Sequence, residues 1–176
     1  MTLQLTKKHN FDIVFDSQKV FRLILDAMSN PGKTVNIKEY ADKMYGEHSA
    51  FLAVAMTLLD NEVSINTCEN RLLSDEIASL TLAKRESVDN ADFIFVCDSA
   101  DLKNVTEYAK CGTLADPHKS AVLIIQNDGN VINDAIKLRN EQNYEYPQGI
   151  DMIFVSDNGD ITAIPRLAYI KKEVLK

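Results

Sequence analysis

Residues 144–166, YEYPQGIDMIFVSDNGDITAIPR, decide the fold. Ile150, Met152 and Phe154 form one short apolar run and Ile161 and Ala163 form a second. Between them, Asp157-Asn158-Gly159-Asp160 holds an Asn-Gly pair of the kind that accepts positive φ in a tight two-residue turn. The reading is an antiparallel hairpin. Pro147 stands before it and Pro165 after it, and proline cannot donate to a sheet ladder, so both strands should stop at those fences. Gly149 and Asp151 sit at the start of the hairpin and Arg166 at its exit.

Outward from the hairpin, the chain reads as alternating helices and strands. Val20, Phe21, Ile24, Ala27 and Met28 recur at helical spacing behind an Asp16-Ser17 cap, and Asn30-Pro31-Gly32 ends that helix before a strand over 33–37. Residues 49–59 are apolar around nearly the whole helical circumference and predict a core helix. A short strand follows over 62–66 and a helix over about 70–83. Residues 92–98 and 121–126 are nearly continuous apolar strands of the sort covered on both faces, joined through a helix near 101–109, which is the parallel crossover unit. A further short helix is placed around 132–138 in an otherwise polar segment. The expected architecture is a three-layer α/β single domain spanning 1–176, with a polar lead over 1–15 and a mixed sheet closed at its edge by the C-terminal antiparallel hairpin.

Composition bounds the function. A chain of 176 residues, 45% hydrophobic and 26% charged, is long enough to bury roughly 70% of its unfolded surface. Its formal charge of -7 argues against broad capture of nucleic acid or of an anionic membrane. Lys7, Lys8 and His9 have no apolar segment behind them, so no signal peptide is read, and no run reaches the ~18 apolar residues of a spanning helix. With Cys68, Cys97 and Cys111 forming no Cys-x-x-Cys pair, reduced thiols and a cytoplasmic location are expected.

Motifs with chemical content are few. Residues 27–34, AMSNPGKT, come within one position of a phosphate-binding loop, but a helix precedes and a strand follows, the reverse of what cradling a phosphate needs. Helix stop and turn is the better reading. His9, His48 and His118 are scattered without metal-ligand spacing, and only His118 lies near a strand end. Cys97 is placed inside a buried strand, and Cys111 has no basic neighbour to activate it. Asp98 and Asp151 at strand ends could do acid and base work if they met. Asp151 could equally pair with Arg166 across the hairpin, and the structural role is favoured.

Three places together carry a resemblance. Residues 17–32 run from SQKVFR to AMSNPG, residues 58–62 read LLDNE, and Pro147-x-Gly149-Ile150-Asp151 is matched at the close by Ala163-Ile164-Pro165-Arg166. In these, with weaker agreement around Gly112-Thr113 and Pro117, the chain resembles the PhnH family, subunits of the bacterial carbon–phosphorus lyase machinery for phosphonate degradation. The resemblance implies a fold similar to a reduced form of the pyridoxal-phosphate-dependent transferases without their cofactor site, hence no cofactor. It also implies a homodimer that joins G, I and J subunits, has no turnover alone, and supports transfer of ribose triphosphate from ATP to a phosphonate. On that reading Pro31, Gly32, Asp60, Gly112, Pro147, Gly149, Asp151, Pro165 and Arg166 are structural or interface positions, with no catalytic or metal-binding residue among them. Residues 127–143 are shorter than the family's usual insertion there, which would alter a partner surface. The competing reading is a small enzyme or a nucleotide- or phosphonate-binding domain built on Asp98, His118 and Asp151.

Overall fold

The structure is a computed structural model, and it describes residues 9–168. Most of the lead over 1–8, including Lys7 and Lys8, lies outside the described residues. Chain order is α1 (Phe15–Ser29), β1 (Thr34–Asn36), α2 (Lys38–Ala41), α3 (Ser49–Leu58), β2 (Ser64–Asn66), α4 (Arg71–Thr81), β3 (Lys84–Arg85), β4 (Phe93–Val96), α5 (Leu102–Tyr108), β5 (Val122–Gln126), α6 (Val131–Glu141), β6 (Asp151–Val155) and β7 (Asp160–Ile164). The strands make one sheet in the order β1-β7-β6-β5-β4-β2-β3. Neighbours from β3 to β6 are parallel, while β7 runs against both β6 and β1. The sheet is mixed, with a single reversed strand among those described.

Both faces of the sheet are covered, which is why its central strands are apolar without interruption. Phe95, Ile124, Ile153 and Ala163 pack on one side with α1, α2, α3 and α4; Ile94, Leu123, Met152 and Phe154 pack on the other with α5 and α6. Helix α3 is the centre of the first layer, and every residue from Ala50 to Ala55 is buried. Phe51 meets Phe95 edge to face at 5.7 Å between ring centres.

Several details depart from the sequence reading. Asp12 caps α1, accepting the amides of Val14 and Phe15 at 2.8 Å each. Asp16 instead lies inside the helix, where it takes the Asp12 amide and pairs with Lys43 at 2.7 Å. Phe21 is 49% exposed, because the buried stripe of α1 is Val20, Ile24 and Ala27. The hairpin turn spans Ser156 to Gly159, whose amide returns to the Ser156 carbonyl at 2.9 Å, and only Gly159 has positive φ, at 78°. This is a three-residue loop with glycine in the left-handed position, so Asn158 needs no unusual backbone. Nor is the hairpin the sheet edge. Thr34–Asn36 pairs onto the outside of β7, and the Ile37 amide donates to the Gly159 carbonyl at 2.8 Å. Strand β4 ends at Val96, which leaves Cys97 half-buried beyond it rather than within the strand.

Candidate functional site

The residues that fence the hairpin meet those of a distant loop. At the register position after Met152↔Ile164, Asp151 would face Pro165, which has no amide to donate. The Asp151 carboxylate takes over the ladder: Oδ1 accepts the Arg166 backbone amide at 2.7 Å, and Oδ2 lies 3.8 Å from Arg166 Nε. The Arg166 side chain then crosses to the loop ahead of β5, where Nη1 donates to the Pro117 carbonyl and, at 2.6 Å, to Ser120 Oγ.

Two glycines leave room for this crossing. A Cβ on Gly112 would stand 2.7 Å from the Pro117 carbonyl oxygen that receives Arg166, and a Cβ on Gly149 would stand 3.0 Å from the Cβ of Arg166. The Gly149 amide donates to the Cys111 carbonyl at 3.0 Å, and Gln148 Nε2 donates to the Gly112 carbonyl at 2.9 Å. Loops at 111–120, 148–151 and 165–166 are thus fastened into one lock at the end of the sheet where β5 and β6 begin.

Of the positions singled out in the sequence, Gly112, Gly149, Asp151 and Arg166 converge here, with Pro165 ending β7 beside them. Pro147 belongs to the adjoining turn, in which the Gln148 amide donates to the Glu145 carbonyl at 2.8 Å. Pro31 and Gly32 make the turn between α1 and β1. Asp60 closes a local turn by accepting the Glu62 amide at 2.9 Å.

Asp98, His118 and Asp151 do not form a site. Strands β4, β5 and β6 are parallel, and Val122 faces Phe93 on one side and Asp151 on the other, so Asp151 is level with the start of β4. Asp98 lies five residues further along, roughly 16 Å away at about 3.3 Å per residue. It caps a 3-10 turn, accepting the Ala100 amide at 2.8 Å. His118 is exposed in the turn after Asp116.

Sequence reasoning missed Arg139. It occupies the buried stripe of α6 with Val131 and Ala135, and it is 5% exposed. Its guanidinium donates to the carbonyls of Pro165 at 3.1 Å and Ala168 at 3.2 Å. The visible signal was an arginine at i+8 on an apolar helix face, where a cation needs a specific reason to be. Arg139 and Arg166 both line an open depression of about 480 Å³ against the lock, with Tyr144, Tyr146 and Gln148 around them.

Elsewhere, burial pushes the Cys68 thiol up to about 12 and also raises Cys97. Among the described residues, no group of three or more His, Cys, Asp or Glu is placed to hold a metal ion, and no helix is long and apolar enough to cross a membrane.

The family model of the bacterial phosphonate metabolism protein (PhnH) matches residues 9–139. The chain is also 27% identical over 176 residues to the "Putative C-P lyase subunit protein HtxG" of Stutzerimonas stutzeri, an alignment covering 87% of this chain and 85% of the relative.

Proposed function

The chain belongs to the PhnH family of bacterial phosphonate metabolism proteins, and from that premise we propose that it is an assembly subunit of the carbon–phosphorus lyase machinery. It works as a homodimer that joins G, I and J subunits, has no turnover by itself, and supports formation of ribose 1-phosphonate 5-triphosphate from ATP and a phosphonate. The observation that carries this reading is the family match together with the carbon–phosphorus lyase subunit named for the relative.

The geometry of the lock supports it. Asp151 Oδ1 and Arg166 Nη1, on the residues at the hairpin rim with the most chemical potential, are engaged with the chain's own backbone and with Ser120. A carboxylate that accepts a backbone amide and an arginine that fastens a loop are positioned for holding shape. The seven-stranded mixed sheet, with its reversed strand next to the edge, supports a likeness to the pyridoxal-phosphate-dependent transferase fold.

Co-expression with the G, I and J subunits followed by size exclusion tests the reading. The expected result is one co-eluting complex that makes the triphosphate product, with no product from the isolated chain. A chain that never co-elutes with those subunits refutes it.

A further inference from the structure

Helix α1 carries two apolar faces, and the fold uses one of them. Val20, Ile24 and Ala27 are buried in the core. Val14, at the helical cap position, joins Gln18, Phe21 and Leu25 in a second column, and its three apolar side chains are 65%, 49% and 53% exposed. With Ile13 and Phe15, five of the eleven large hydrophobic side chains exposed among the described residues fall between Ile13 and Leu25. Exposed apolar residues scattered singly need no explanation, whereas a concentration of them marks an interaction surface.

The spacing identifies what fits. Steps of four, three and four residues from Val14 to Gln18, Phe21 and Leu25 make a coiled-coil seam, in which each side chain is a knob for a hole on a facing helix. Gln18 is a polar residue within that seam, of the kind that fixes register. The adjoining column, Phe15, Lys19, Arg22 and Asp26, supplies the sign. Asp26 is held by Lys33 at 2.7 Å. Lys19 and Arg22 are exposed, and among the described residues neither has a carboxylate within 4.0 Å. Two uncompensated cations thus flank the seam on a chain of formal charge -7. They disfavour a second copy, since a two-fold contact would bring the same two cations to the same face. The net charge disfavours an anionic membrane. A facing helix with Glu or Asp beside its apolar stripe satisfies both the seam and the cations.

We propose that the outward face of α1 is a docking seam for an amphipathic helix of a partner subunit, its apolar side on Val14, Phe21 and Leu25 and its acidic flank against Lys19 and Arg22. This rests on the assembly-subunit role.

Co-expression of the double variant Phe21→Glu, Leu25→Glu with the G, I and J subunits, beside the parent, tests it by size exclusion. Both positions are exposed, so the variant should keep the parent's circular dichroism and Tm while co-elution is lost. A second double variant, Lys19→Glu, Arg22→Glu, leaves every apolar contact in place and should weaken association ~10-fold or more at low salt, with a smaller effect at high salt. Carbodiimide coupling of the parent complex should join Lys19 to a Glu or Asp flanking an apolar helical stripe of one of those subunits. If the parent itself fails to co-elute, the assembly role falls and the seam with it. If the parent co-elutes and Phe21→Glu, Leu25→Glu co-elutes equally, or Lys19→Glu, Arg22→Glu binds like the parent, the seam alone is refuted. Two further results would overturn it: dissociation of the chain's own dimer by Phe21→Glu, Leu25→Glu in sedimentation, which gives the face to a second copy, and pelleting of the parent but not that variant with phosphatidylserine vesicles, which gives it to a membrane.

Discussion

Replacing Arg166 by alanine isolates what the lock contributes to stability. The substitution removes the donor that serves the Pro117 carbonyl and Ser120 Oγ, together with the ion pair to Asp151 at 3.8 Å. A hydrogen bond from a charged donor contributes about 1.5–3 kcal/mol. Two effects reduce the sum. The Arg166 side chain is 22% exposed beside an open depression, so water can reach the abandoned acceptors, and the Arg166 amide still serves Asp151 Oδ1 after the change. A net loss of about 2–3 kcal/mol follows. At roughly 2–4 °C per kcal/mol for a chain of this length, Tm should fall by about 4–12 °C. Asp151→Asn keeps an acceptor for the amide and loses only the longer ion pair, so it should cost about half as much or less. Calorimetry of both variants beside the parent decides the matter. If Arg166→Ala melts within about 1 °C of the parent, or if Asp151→Asn is the more damaging change, the lock does not bear on stability as described.

Gly112→Ala should destabilise by about 2 kcal/mol or more in urea titration, since its Cβ would stand 2.7 Å from a backbone oxygen that has no freedom to retreat. Gly159→Ala should cost a similar amount, its Cβ meeting the Lys38 amide at 2.6 Å in a left-handed turn position, and loss of β1 pairing should appear as faster amide exchange at Ile37. Asp92 supplies a pH dependence. Burial opposes its charge, but hydrogen bonds from Lys110 and from Ser64 prevail and hold the carboxyl below the ordinary aspartate value. Its folded pKa being the lower one, its contribution is complete above the unfolded value of about 3.9 and is lost as pH falls through the folded value. Asp92→Asn should therefore flatten the acid limb of a Tm-against-pH curve and leave its neutral region steeper in no direction. With its thiol pushed up to about 12, Cys68 should hold roughly a thousandfold less thiolate at pH 8 than a free cysteine, so a variant retaining Cys68 alone should react with a disulfide reagent only on unfolding.

How far the sequence disclosed this molecule depended on whether side chains or backbone decided each element. Helix α3 and strands β4 and β5 were legible because their residues are buried on nearly every side and therefore uniformly apolar. Strand β3 was not legible. Lys84 and Arg85 bury no face, and the strand exists through the Lys84 amide on Val63 and the Glu86 amide on Ile65. The cap of α1 was misplaced because Asp12 and Asp16 offer the same chemistry, and only the positions of the free amides tell them apart. For Asp98 and Asp151, "strand end" was legible but which end was not, and the parallel direction put them at opposite ends of the strands. The hairpin rim was recognised as a unit, yet nothing local in Gly112 or Gly149 says that both face the same arginine. Arg139 marked itself only by standing on the apolar stripe of α6.

The sheet's two outermost strands bear on the proposed role as an assembly subunit. One outermost strand is Lys84–Arg85, both exposed, and the other is the three-residue Thr34–Asn36, with Thr34 and Asn36 exposed. Strands so short and so polar are poor templates for a neighbouring chain to pair onto. A free copy of the chain is thereby guarded against edge-to-edge aggregation, and contacts with the proposed partners would be left to side-chain surfaces, which discriminate among partners where backbone pairing could not.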